Sequence, residues 1–231
     1  MYVERPSRGV PGAVAWSVSA AAAGGRVLPD GCMDLVWADG RLLVAGPDTR
    51  AHSAAPVAPG SPVLGVRLPP GAAPVLLGVP ARALRDQRPD LADVWGARVA
   101  RPWLDAVAEG GVAALERRIA ARLAERGGRP ADVAAVARLV GAGIGAAEVA
   151  DRAGVTPRTL HRRCQDAFGY GPRTLARVLR LQRVLPLLDA GIPLADVAQR
   201  AGYADQPHLS REVRALTGRS PAALASDRAA G

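Results

Sequence analysis

The chain has 231 residues, 30 basic and 21 acidic side chains and a formal charge of +9, and every basic residue is arginine, because the sequence contains no lysine. That length holds one large domain or two ordinary ones, each with its own core, and the arginine excess favours polyanionic partners, nucleic acid or an anionic membrane surface, through phosphate contacts and counterion release. No apolar run reaches the roughly 18 residues that a membrane-crossing helix needs; the opening MYVERPSRGVPGAV lacks the basic segment and apolar core of a secretory leader; and two cysteines far apart in sequence, Cys32 and Cys164, suit a reduced, cytoplasmic protein.

From Trp16 to about Leu77 the chain consists of short apolar runs cut by Pro and Gly: VAWSV, MDLVWADGRLLVAG, VLGVRL and PVLLGV. All four read as strands. The clearest lies between Met33 and Val44, where two β-compatible runs flank Asp39-Gly40, the dipeptide preferred by a type I′ turn because both positions need positive φ. Residues 80–126 change character. PARALRDQ is followed by Trp103, Leu104, Val107, Leu115, Ile119 and Leu123 at near-helical spacing, predicting one or two closing helices. Gly127-Gly128-Arg129-Pro130 then interrupts the pattern, and helical periodicity runs on to the end. The expected organisation is α+β: a β-rich N-terminal domain over 1–126, a linker at 127–130, and an all-helical domain over 131–231.

The second half repeats itself. IGAAEVADRAG (Ile144 to Gly154) matches IPLADVAQRAG (Ile192 to Gly202) at an offset of 48; beyond the turn the offset is 49, pairing Leu160 with Leu209, Arg162 with Arg211, Gly169 with Gly218 and Pro172 with Pro221. Each copy has the marks of a helix-turn-helix, at about 144–168 and 192–217. Val149, Ala150 and Ala153, or Val197, Ala198 and Ala201, form an apolar stripe whose alanines admit a second helix closely. Gly154 or Gly202 follows, where a helix end needs left-handed backbone, and Thr156 before Pro157, or Asp205 before Gln206, caps the next helix. A helix from Arg173 to Leu188 joins the copies.

A helical bundle without a ligand would satisfy the same periodicity. The charge pattern argues otherwise: Arg158 to Arg183 contains seven arginines and one acid, Asp166, or +6 over 26 residues, where a solvated structural face mixes signs. A joining helix of about 17 residues spans roughly 25 Å, so, with the width of the flanking helices, two recognition helices can reach successive major grooves about 34 Å apart.

Together these residues resemble the AraC/XylS family of bacterial transcription regulators. The segment LADVAQRAGYADQPHLSREVRALTGRSPAAL carries the likeness in its glycine-aromatic turn, its D-Q-x-H-L helix start and its T-G-x-S-P close; the resemblance covers about residues 131–228. It implies seven helices, two helix-turn-helix units bridged by a long helix, double-stranded DNA as partner, and no catalysis. By the same resemblance the first recognition helix offers Arg158, His161 and Arg162 to base edges and the second offers Gln206, His208 and Arg211. Guanidinium can grip guanine O6 and N7, and glutamine can do the same for adenine; either Arg162 or Arg211 can instead clamp phosphate. Arg163, Arg173 and Arg177 are the expected phosphate contacts. Cys164 departs from the family, which usually carries a bulky apolar residue there, and reads as a small buried thiol.

LPDGCMDLVWADGRLLVAGPDT (Leu28 to Thr49) resembles a small β-rich, cupin-like domain found ahead of AraC-type DNA-binding domains. The family architecture implies that it senses a small-molecule effector or holds a partner, with RNA polymerase and a second copy of the chain as candidates. Cys32, Asp34 and His52 are legitimate zinc ligands in type, but their spacing fits no motif, so neither metal nor cofactor is expected; Asp30-Gly31 reads as a turn. Trp16, Trp37, Trp95 and Trp103 either fill the core or line an effector pocket. The helix face of Val112, Leu115, Ile119 and Leu123 can pack on its own sheet or on a partner copy. Two competing functions remain: a DNA-targeted metal- or thiol-dependent sensor or enzyme using Cys32, which lacks the Pro-Cys-His acceptor of repair methyltransferases, and an architectural binder without sequence preference.

Overall fold

The structure, a computed structural model, describes residues 2–18, 25–54, 58 and 61–229. Strands β1 (Tyr2–Pro6), β2 (Val14–Val18), β4 (Met33–Ala38), β5 (Arg41–Ala45) and β7 (Val63–Leu68) make one antiparallel sheet in the order β1-β2-β7-β4-β5, while β3 (Arg26–Val27) and β6 (His52–Ser53) pair as a short ribbon. The β4–β5 hairpin turns at Asp39 and Gly40 with φ of 49° and 74°, the positive values a type I′ turn demands. Met33, Leu35, Leu42, Val44, Val66 and Leu68 line the buried face of the sheet.

That face is covered by α1 (Ala73–Leu77), a 3₁₀ turn at Ala81–Leu84, α2 (Leu91–Trp95) and α3 (Ala97–Glu125), the last broken at Gly111, where φ is 57° and ψ −149°. Leu115, Ile119 and Leu123 bury against the sheet, so this stripe packs on its own sheet. Trp103 lies in the core and meets Trp95 edge-on at 5.0 Å; Trp37 and Trp95 pack partly buried against the same core.

One expectation fails here, and one strand lay outside every expectation. PVLLGV is helix α1, not a strand: Pro74 sits in its first turn, Gly78 closes it in left-handed geometry at φ 76°, and Leu76 and Leu77 bury together. A short apolar run has no periodicity to separate helix from strand, and the flanking Pro and Gly decide for the helix. Conversely, β1 is mostly exposed and too polar to announce itself. It is fixed by a distant partner: Arg5 donates through both terminal nitrogens (3.0 and 2.6 Å) to Glu116 of α3, which also accepts from the Arg8 backbone N–H at 3.0 Å.

Beyond Gly127 and Gly128, both at positive φ, come α4 (Ala131–Gly141), α5 (Ala146–Arg152), α6 (Pro157–Phe168), α7 (Pro172–Asp189), α8 (Leu194–Ala201), α9 (Gln206–Thr217) and α10 (Pro221–Ala229). These are the seven helices the resemblance implies. They share a second core in which Leu175, Val178, Leu181 and Val184 of α7 face Val149 and Leu160 of the first unit and Val197 and Leu209 of the second. Among the described residues no helix is long and apolar enough to cross a membrane.

Candidate nucleic-acid interface

Each recognition helix is built by the same local devices. In the first unit Gly154 turns the chain at φ 63°, the Thr156 hydroxyl accepts from the Thr159 N–H at 3.2 Å, and Pro157 opens α6. In the second, Gly202 turns at φ 80° and the Asp205 carboxylate accepts from the His208 N–H at 2.6 Å. Capping satisfies backbone donors that have no partner within the helix, by about 1 kcal/mol each. Leu160, Cys164 and Phe168 recur every fourth residue and bury one side of α6; Leu209, Val213 and Leu216 do the same for α9. The opposite sides are thereby forced outward, carrying Arg158 and Arg162 on α6 and Gln206 and Arg211 on α9, all exposed.

The other expected contacts sit differently. His161 is exposed, but its ring lies over the α6–α7 turn, 2.5 Å from where a Cβ on Gly171 would be, so a side chain at that position would displace the ring. His208 is half-buried with its ring edge-on to Tyr203 at 5.3 Å. Arg163 lies 3.6 Å from Asp132 of α4, and Arg177 Nε donates to Glu212 of α9 at 2.7 Å; Arg173 is exposed at the start of α7. The Cys164 thiol is pushed up to about 12 by burial, so it remains protonated inside the first unit.

In the sheet region, Asp30 and Gly31 form the expected turn, with the Cys32 N–H donating to the Asp30 carboxylate at 2.8 Å and Gly31 at φ 82°. Burial, then the neighbouring Asp30 and Asp34 charges, drive the Cys32 thiol well above its ordinary value, the reverse of nucleophile activation. Asp34 accepts from the Trp16 indole N–H at 2.7 Å and is raised to about 6, chiefly by burial, against the opposing pull of Arg67. Arg67 Nε lies 3.1 Å from Asp30 and 3.7 Å from Asp34. His52 is elsewhere, 3.3 Å from Asp48 and 3.0 Å from the Arg88 guanidinium, with its pKa lowered by burial. Cys32, Asp34 and His52 are therefore not brought together, and among the described residues no group of three or more His, Cys, Asp or Glu side chains is placed to hold a metal.

A family model described as a helix-turn-helix domain matches residues 149–226, from within α5 to within α10 and so across both recognition helices and the helix between them. The C-terminal domain is an AraC-type helix-turn-helix domain. Its presence makes the chain a DNA-binding transcriptional regulator in kind. A second model, a domain of unknown function (DUF6597), matches residues 13–90. Among solved structures, a probable AraC family transcriptional regulator from Rhodopseudomonas palustris CGA009 is 23% identical, covering 42% of this chain and 97% of that one at a TM-score of 0.37. ToxT from Vibrio cholerae is 9% identical over 97% of this chain and 98% of its own at 0.47, and unsaturated fatty acid bound ToxT from strain SCE256 is 11% identical over 90% and 92% at 0.45. No curated protein matches the chain.

The AraC-type domain holds further cations that sequence reasoning passed over. Arg180 lies over the Tyr203 ring at 5.1 Å, and the Arg183 guanidinium lies 3.9 Å from where a Cβ would sit on Gly143, in the α4–α5 turn, and on Gly202, so α7 carries charge towards the loop ahead of the first unit and the turn of the second. The spacing of Arg173, Arg177 and Arg180, at i, i+4 and i+7 on one helical face, was the available signal. The domain also rests on the sheet region: Gln182 donates to the Pro29 carbonyl at 2.7 Å, the Ala51 N–H donates to the Leu216 carbonyl at 2.7 Å, and Arg82 pairs with Asp166.

Proposed function

We propose that the chain is a sequence-specific, cytoplasmic transcription regulator whose helices α6 and α9 read successive major grooves of double-stranded DNA. Arg158, His161 and Arg162 of the first unit, and Gln206, His208 and Arg211 of the second, face base edges; Arg163, Arg173 and Arg177 hold phosphates. The observation that carries this reading is the equivalence of Arg162 and Arg211. They occupy the same place in the repeat, each on the exposed side of a helix whose other side is core. The 18-residue α7 spans about 27 Å, which, with the flanking helices, suits the pitch of the duplex. Arg163 and Arg177 have acidic partners and must exchange them for phosphate; Arg173 is exposed. In this reading the β-rich region over 1–126 modulates binding through a small-molecule effector, through association with a second copy or through RNA polymerase.

The test is selection of bound duplexes from a random pool with the full chain near physiological salt. Two conserved blocks about one helical turn apart support the reading; salt-sensitive binding without enrichment selects an architectural binder instead. On the selected duplex, Arg211→Ala is expected to cost about 1–3 kcal/mol and to relax one or two base positions; an equal loss on every sequence assigns Arg211 to phosphate.

A further inference from the structure

Where the sheet region meets the second unit, a cleft of about 340 Å³ opens between the β3–β6 ribbon and the C-terminal turns of α9. Arg26 and Arg50 enter it from the sheet region and Arg214 from α9, and no acid lines it among the described residues. All three arginines are exposed. Its two walls are joined by backbone, because the Ala51 N–H donates to the Leu216 carbonyl at 2.7 Å. Asp227, which feels the Arg26 charge, already accepts from Arg219 at 2.8 and 2.7 Å. The carbonyls at the end of α9 favour one nearby cation, and Arg26 fills that place, 2.8 Å from where a Cβ on Gly218 would sit. They do not explain Arg50 and Arg214 as well. Three arginines lining one cleft with no acid among its walls make a local positive potential that attracts an anion.

The repeat sharpens the point. Under its offset of 49, Gln165 and Asp166 of the first unit stand where Arg214 and Ala215 stand in the second. There the sheet region closes on α6 with an ion pair, Arg82 to Asp166. At the second unit the same kind of contact presents cations alone. Arg214 also lies between Gln206 and Arg211 on the exposed arc of α9, counting 100° per residue, so the cleft continues the surface that faces DNA.

We infer that Arg26, Arg50 and Arg214 form a phosphate-binding site shared between the sheet region and the AraC-type domain. Its occupant is either a phosphodiester of the bound duplex beyond the second recognition helix or a free phosphate-bearing small molecule. The first source rests on the DNA reading given above; the second does not.

The experiment compares the full chain with an Arg26→Ala/Arg50→Ala double variant, with circular dichroism melts confirming that both fold. In one arm, affinity for the selected duplex is measured against salt. A fall of about one in the slope of log K against log salt, the loss of a single phosphate contact at about 0.9 each, with the ranking of sequences unchanged, identifies the duplex as the source. In the other arm, inorganic phosphate is titrated into DNA-free protein. Saturable binding that the double variant loses, with an unchanged DNA slope, identifies a free phosphate ligand. No change in either arm overturns the site. Failure of the wild-type chain to bind any duplex would refute the DNA reading alone, and the phosphate arm would still decide the cleft.

Discussion

Glu116 ties the edge strand β1 to α3, and replacing it with glutamine keeps its shape while removing its charge. The carboxylate accepts from Arg5 at 3.0 and 2.6 Å and from the Arg8 N–H at 3.0 Å, and these donors, the Arg5 hydrogen bonds first, hold it down from 4.5 to about 2. A shift of that size corresponds to at most about 3 kcal/mol. The Arg5 side chain is 35% exposed, and solvent screening reduces the expected cost of Glu116→Gln to about 1–2 kcal/mol at pH 7. The folded-state pKa lies below the unfolded one, so this stability is present above about pH 4.5 and is lost as pH falls towards 2. Urea unfolding of both proteins at pH 7, 4 and 2 measures it, with the gap expected to close with acid. Equal stability at pH 7, or a gap that persists at pH 2, would refute the assignment of Glu116 as a charged anchor.

Leu209 is fully buried where α9 meets the rest of its unit, so Leu209→Ala is expected to cost about 2–5 kcal/mol in denaturant melts; a smaller loss would mean that the second unit repacks. Both thiols are driven upward, Cys164 to about 12, so at pH 8 a disulfide reagent should label the native chain at least tenfold more slowly than the unfolded chain, and rapid labelling of native Cys32 would contradict its environment. The Asp34 carboxyl, raised from 3.8 to about 6, should shift the indole N–H resonance of Trp16 with a midpoint near pH 6. Asp34→Asn should abolish that titration. Because this pKa is higher folded than unfolded, ionising Asp34 subtracts stability as pH rises from about 4 through 6.

Features that rest on local chemistry were legible in the sequence. The Thr156 and Asp205 caps, the turns at Gly154, Gly202 and Asp39-Gly40, and the buried stripes of α6 and α9 each follow from residues within a few positions of one another, because capping, positive φ and helical periodicity act over one or two turns. Repetition then made the DNA-binding architecture legible twice. The remaining features depend on partners far away in the chain, which folding alone brings together. PVLLGV became a helix against the core, and β1 found Glu116 more than a hundred residues on. His161 settled over Gly171, and Arg163 and Arg177 met acids on other helices. The cleft of Arg26, Arg50 and Arg214 joins residues whose proximity no spacing encodes, since it is created by packing the sheet region against the end of α9.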